Sequence, residues 1–272
     1  MIDLSSLGPI CDSSMHVYED GRRLAPTATI VPPHAPLAAY EAVQRDLGLS
    51  RTVVSQPTAY AFDNSLVLET LARIGANGRG VAVVPADVDA GTLKSMHDRG
   101  VRSVRFMMYP GGVLGWDALV PLAEKVAPLG WSLKFQLPGD RFDEYAPVLA
   151  SLPTDSIVDF NPATFAPTTD ADGAALSALR RLLGGGRCWV SLCAPYSPSD
   201  REASAQSRFL SLARQLLTDN PQRCVWASHW PYLGITPVPG PRDGLDWLRQ
   251  LTADRPELTA VLVDNPALLF DF

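Results

Sequence analysis

The sequence predicts an α/β protein folded as a single (β/α)8 barrel. Three observations carry this expectation. Eight short β-rich runs, at 10–17, 51–56, 79–84, 101–107, 131–137, 156–160, 188–193 and 223–229, alternate with longer stretches of helical periodicity. Several of these runs are apolar nearly throughout, such as Val-Ala-Val-Val at 81–84, as a parallel strand covered on both faces requires. At 272 residues and 46% hydrophobic content the chain can bury one large core, and no repeat or low-complexity linker divides it. One domain spanning 1–272 is therefore expected.

The helical stretches are 37–47, 64–74, 89–99, 117–127, 142–152, 174–183, 202–217 and 243–251. The second shows the pattern well, with Leu66, Val67, Leu71 and Ile74 on one face. Glycines punctuate the joints at Gly48, Gly100, Gly130 and Gly184, where a left-handed or flexible residue ends a helix. A doubly wound open sheet is the alternative. It would be favoured by Gly-x-Gly-x-x-Gly after the first strand, but Ser13-Ser14-Met15-His16 stands there. The run Gly184-Gly185-Gly186 follows a helix and precedes a strand, so it terminates a helix and cradles no phosphate. Proline-rich loops at 26–36 and 231–241 follow the first and last strands, which are neighbours in a closed barrel, and should shape one rim of its mouth.

Composition narrows the function classes. Lys and Arg number 23 against 29 Asp and Glu, a formal net charge of −6. Without a basic run, nucleic acid and anionic membrane are not expected partners. No apolar stretch reaches the ~18 residues of a membrane span, and the first residues lack the basic and apolar regions of a secretory signal. Cys11, Cys188, Cys193 and Cys224 have no metal-binding spacing and lie in or beside apolar runs, so reduced, buried thiols in a cytoplasmic protein are expected. A homo-oligomer remains open.

Active sites of these barrels form at the C-terminal ends of the strands. The polar residues there are Asp12, Ser14, His16 and Tyr18 on the first strand, then Ser55, Gln56, Thr58, Tyr60 and Asn64. Arg105 and Tyr109 follow, with Lys134 and Gln136, Asp159 and Asn161, Ser191 and Tyr196, and finally Ser228, His229 and Tyr232. His16 shares strand parity with Ser14 and Asp12. An arginine aimed into a barrel needs an anion, so Arg105 meets either a barrel carboxylate or a substrate carboxylate. Asp159 pairs with Arg105 or Lys134, or faces substrate. His34 and His97 read as solvated. No Gly-x-Ser-x-Gly elbow is present.

Residues 10–18 (Ile-Cys-Asp-Ser-Ser-Met-His-Val-Tyr), 56–64, 100–106, 158–161, 223–231 (Arg-Cys-Val-Trp-Ala-Ser-His-Trp-Pro) and 263–268 (Val-Asp-Asn-Pro-Ala-Leu) together resemble the amidohydrolase superfamily, and within it the branch acting on small lactones. The resemblance implies a TIM barrel of the amidohydrolase type. The departures are informative. Metal-dependent members carry Asp-x-His-x-His on the first strand, and Ser14 replaces the first of those histidines while His16 keeps the second. Phe160 stands where a histidine follows Asp159, Ser191 where a lysine is frequent, and His229 where the last strand bears aspartate. His16, His229 and Asp159 fall short of a full tetrahedral ligand set. The lactone branch is known for working without metal, so neither metal nor cofactor is expected.

The resemblance then implies acyl transfer at the carbonyl of a small carboxylated lactone, by hydrolysis or by isomerisation. His229, at the position of the family's water-activating aspartate, is expected as base, and His16 as donor to the carbonyl or leaving oxygen. Arg105 is expected to clamp the carboxylate. Gln136, Tyr60 and Asn161 are expected to orient substrate, with Ser14, Asp159, Tyr109 and Tyr196 lining the pocket. Two rivals stay open: a lyase, cyclase or isomerase using the same histidines, and a non-catalytic binding protein on the same scaffold.

Overall fold

The computed structural model describes residues 4–162, 164–165, 173–193, 203–235 and 237–272. Eight strands form one sheet in sequence order: β1 (Cys11–Met15), β2 (Arg51–Ser55), β3 (Gly78–Ala82), β4 (Val101–Met107), β5 (Ser132–Gln136), β6 (Ser156–Phe160), β7 (Cys188–Cys193) and β8 (Cys224–Ala227). Every consecutive pair is parallel. The crossovers are α1 (Leu37–Leu47), α2 (Ser65–Ile74), α3 (Ala90–Asp98), α4 (Leu119–Val126), α5 (Phe142–Ser151), α6 (Ala174–Gly184) and α7 (Ala203–Asp219), and α8 (Asp243–Leu251) follows the last strand. The expected open-sheet alternative is thereby excluded.

Local chemistry explains the joints. α1 buries Leu37, Tyr40 and Leu47, and Gly48 ends it in the left-handed conformation, its N–H donating to the carbonyls of Gln44 and Arg45. Asp89 caps α3 by accepting from the Thr92 amide. After β4 the Pro110-Gly111-Gly112 turn needs both glycines. Gly111 sits at φ +96°, and a Cβ on Gly112 would lie 1.8 Å from the Met107 carbonyl oxygen.

The barrel interior is layered. At the N-terminal end Cys11, Val53, Val81, Ile157, Trp189 and Val225 pack together with Leu269 and Phe270. The last two belong to a C-terminal segment that the sequence reading did not anticipate: α9 (Arg255–Thr259), a π-helical stretch (Ala260–Asp264) and α10 (Asn265–Phe270). Asn265 Nδ2 fastens it to the carbonyls of Pro221 and Cys224 at 2.8 and 2.7 Å. Helices this short carry too few turns for periodicity to reveal them. Two residues further along β6 and β7, strand alternation returns Asp159 and Ser191 to the interior, so the apolar floor supports a polar layer. All four cysteines are free and buried. Among the described residues no helix is long and apolar enough to cross a membrane.

Candidate active site

The seam between β8 and β1 builds the centre of the site. Both strands are shorter than expected, and their extensions leave the regular ladder. His229 N donates to the Ser14 carbonyl, and His16 N donates to the Trp230 carbonyl, each at 2.9 Å. The Asp12 carboxylate bolts the same seam by accepting from Ser228 N (2.9 Å), Ser228 Oγ (2.5 Å), Ser14 N (3.2 Å) and Tyr40 Oη of α1 (2.9 Å). Strict alternation would put Asp12 and His16 on one face. The β1–β2 register slips between Asp12 and Met15, so Asp12 instead meets α1 while His16 lines the cavity. A bulge beside a site re-aims side chains in this way. His229 adopts φ +56°, a left-handed conformation that costs a non-glycine residue about 1–2 kcal/mol. The seam hydrogen bond holds it there.

The two imidazoles face each other edge to face, with centroids 5.7 Å apart at 86°. Their environments drive them to opposite charge states. His16 Nδ1 lies 2.8 Å from the Ser55 carbonyl, which can only accept, so Nδ1 carries the proton and Nε2 is the bare nitrogen. Burial, then the nearby charges of Arg105 and His229, hold its pKa well below 6.5. For His229 burial disfavours the cation, but Cys193 beside it and the Asp159 carboxylate outweigh burial and lift its pKa to about 9. His229 Nε2 stands 3.8 Å from Asp159 Oδ2. The expectation of His229 as base and His16 as donor runs against both shifts. The physical reason is Asp159, a carboxylate whose reach to His229 across the barrel could not be read from the chain.

Beneath His229, Lys134 Nζ is 3.1 Å from Asp159 Oδ1, and both side chains are 1% exposed. Burial raises the Asp159 pKa, but Lys134, His229 and Arg105 overrule it and push it well below the ordinary carboxylate range. Asp159 therefore pairs with Lys134. Arg105 is buried and donates to the Gln56 carbonyl (3.0 Å) and to Gln136 Oε1 (2.9 Å). No carboxylate among the described residues comes within ion-pair distance of its guanidinium. With Met107 Sδ at 3.9 Å as a further neutral partner, this buried arginine is a waiting anion site.

These groups line a cavity of about 250 Å³ at the C-terminal strand ends. Ligand pockets start near ~300 Å³, so this one suits a small molecule. Of the expected residues, His16, Arg105, Gln136, Asn161 and His229 line it together, as do Tyr18, Thr58 and Tyr232 from the wider set of strand-end polar residues. Ser14 stays below, its Oγ 2.8 Å from Ser55 Oγ. Asp159 sits behind His229. Tyr60 and Tyr109 do not line the cavity. The Tyr60 hydroxyl accepts from the Glu19 amide at 3.3 Å, and Tyr109 lies half-buried outside it. Tyr196 falls outside the described residues. Asn161 Oδ1 accepts from the Thr164 amide (3.0 Å), and its Nδ2 donates to Cys193 Sγ (3.7 Å). His97 is half-buried and accepts from the Trp131 indole at 3.0 Å, so it is not simply solvated. Sequence reasoning missed Cys193 as a neighbour of His229, having read it as inert core. Its place at the last residue of β7 was the available signal. It also missed Thr29, Ile30, Leu233 and Ile235, which loops carry over the cavity.

Divalent metal is what this barrel type commonly holds at such a place, and Asp159, Cys193 and His229 offer ligand atoms within 4.8 Å of one another. The donor set does not fit. The Lys134 ammonium already occupies one side of the carboxylate, 3.1 Å from Asp159 Oδ1, and three donors fall short of a full tetrahedral set.

An eight-stranded parallel barrel with polar groups gathered at its C-terminal strand ends defines a class of barrel enzymes. A family model described as amidohydrolase matches residues 11–272, and the chain belongs to that family. It is 25% identical to D-galactarolactone isomerase of Agrobacterium fabrum over 268 residues, covering 95% of this chain and 90% of that protein. It is 28% identical to a 2-pyrone-4,6-dicarboxylate hydrolase of Comamonas testosteroni over 273 residues, covering 95% and 89%. A crystal structure from Agrobacterium tumefaciens superposes with a TM-score of 0.89 at 23% identity, covering 97% of this chain and 96% of that one, which shows the shared fold.

Proposed function

We propose that the protein opens or rearranges a small carboxylated lactone by metal-independent acyl transfer, with His16 as base and His229 as acid. The observation that carries this reading is the facing pair of imidazoles with opposite charge preferences beside an arginine that lacks a carboxylate partner. The attacking oxygen, from water or from a hydroxyl of the substrate, gives its proton to His16 Nε2. The His229 imidazolium donates to the carbonyl oxygen as charge develops and then protonates the departing ring alkoxide. The proton left on His16 returns to His229 through solvent, which closes the cycle. Arg105 grips the substrate carboxylate, and Gln136 holds the guanidinium in place. Asp159, with Cys193 beside it, favours the charged form of His229, and Lys134 keeps Asp159 ionised. Water as acceptor gives a lactonase, and a substrate hydroxyl gives a lactone isomerase; the names of both relatives support this choice of substrate. The four free, buried thiols support a cytoplasmic setting.

The test is product analysis by NMR on a panel of five- and six-membered lactones bearing a carboxylate, with prolonged chelation beforehand. Ring opening or ring transposition that survives the chelator supports the reading. Carboxylate elimination or cyclisation products instead favour a lyase. Saturable binding with no turnover across the panel identifies a binding protein, and activity lost to chelator and restored by one metal overturns metal independence.

A further inference from the structure

The cavity is divided by chemistry. Its more buried lining includes His16, Arg105, Gln136, Asn161 and His229, and its more exposed lining is Ile30, Met107, Pro110, Leu233 and Ile235 with the hydroxyl of Thr29. Among the described lining residues Arg105 and His229 are the only cations, and the proposed chemistry occupies His229. One fixed charge remains for substrate anions. That exposed lining is largely apolar, and among the described residues it is incompletely covered. Ile30 is 49% exposed and its neighbour Val31 84%, an unusual placement for two branched aliphatic side chains at the mouth of a site. Ile30 is also not a mobile afterthought of the loop. The segment 27–29 packs on the β4 turn, where a Cβ at Gly111 would meet Thr29 Cγ2 at 3.4 Å and the Thr27 carbonyl at 3.5 Å. The same loop is fastened by Ala25 N to the Ala59 carbonyl (2.8 Å) and by the Tyr18–Ala35 bridge.

Resting on the lactone reading above, we infer that the substrate is a monocarboxylate carrying an apolar arm, with its carboxylate on Arg105 and its arm between Ile30 and the Leu233–Ile235 side of the mouth. A dicarboxylate would set its second charge against those aliphatic side chains, where no described lining cation compensates it. A short alkyl arm instead covers Ile30 and gains the free energy of its own burial, about 4-fold in affinity for each methylene.

Calorimetric titration of the whole protein with propanoate, butanoate, pentanoate and hexanoate tests this, with butanedioate and hexanedioate as diacids of matched length. These probes require no turnover. Affinity is expected to tighten about 3–4-fold per methylene, and each diacid to bind at least ~10-fold more weakly than its monoacid. Ile30→Asn and Leu233→Asn should flatten the series while leaving propanoate within about twofold, and Ile30→Leu should preserve it. A flat wild-type series with measurable propanoate binding, diacids that bind more tightly, or a slope that survives both asparagine variants overturns the apolar arm alone. Failure of every monoacid to bind overturns the Arg105 anion site and with it the reading beneath.

Discussion

Replacing His229 with asparagine probes the link between barrel electrostatics and chemistry, and part of the test needs no substrate. In the folded protein His229 titrates at about 9 instead of 6.5. At about 1.4 kcal/mol for each pH unit, the difference amounts to roughly 3 kcal/mol of preferential stabilisation of the charged ring. The folded value is raised, so this stability is fully present below about pH 6.5 and is lost as pH rises through about 9. Urea unfolding midpoints at intervals from pH 6 to 10 should therefore show the wild type losing about 3 kcal/mol relative to His229→Asn across that window. In turnover the variant should lose ~10²–10⁴-fold in kcat, since it removes a general acid, and the alkaline limb near pH 9 should vanish with it. The acid limb belongs to His16, lies below 6.5 and should persist. Parallel stability curves for the two proteins, or wild-type turnover in the variant, would refute the assignment of His229 as the charged acid.

Arg105→Met should fold and bind carboxylates ~10–150-fold more weakly, as loss of a contact of ~1.5–3 kcal/mol requires; unchanged binding by calorimetry would return Arg105 to a structural role. Lys134→Met removes the nearer cation of the buried Asp159 carboxylate, leaving it His229 at 3.8 Å, and should cost about 3 kcal/mol of stability; an unchanged Tm would show the ion pair contributes little. Asp12→Ala leaves four seam donors without their acceptor at β1, β8 and α1, so it should lower Tm sharply and disturb both histidines, which near-wild-type turnover would contradict. His16→Asn and His229→Asn combined should cost far less in kcat than the product of the single effects, because both serve one proton path; multiplicative losses would assign them to separate steps.

The alternation of apolar runs with helical periodicity was enough to place every strand within a few residues, because parallel barrel strands are buried on both faces and say so in their composition. The residues at their C-terminal ends were equally legible. Strand ends converge by topology, so His16, Arg105, Gln136, Asn161 and His229 were bound to meet at one mouth once the barrel was recognised. What was not legible has a common cause. Tyr60 was expected to face substrate, but its hydroxyl is taken by the Glu19 amide, a contact between two loops that no local pattern encodes. The short C-terminal helices that plug the barrel gave no periodic signal. Ile30 and Ile235 sit in proline-rich loops whose path depends on what they pack against.

The chain by itself thus determined the barrel and the five side chains at its mouth, since each follows from residue type at a position along a strand, while the departures from a metal-binding pattern came from its resemblance to the family. Tertiary structure alone sets the opposite pKa shifts of the two histidines. They depend on a register slip in β1 that separates His16 from Asp12, on a carbonyl of β2 that fixes one ring's proton, and on Asp159 and Cys193 reaching His229 from β6 and β7. Through-space electrostatics falls off over a few ångströms, and those distances are set by the closure of the barrel, which joins residues more than two hundred positions apart at the seam of β1 and β8.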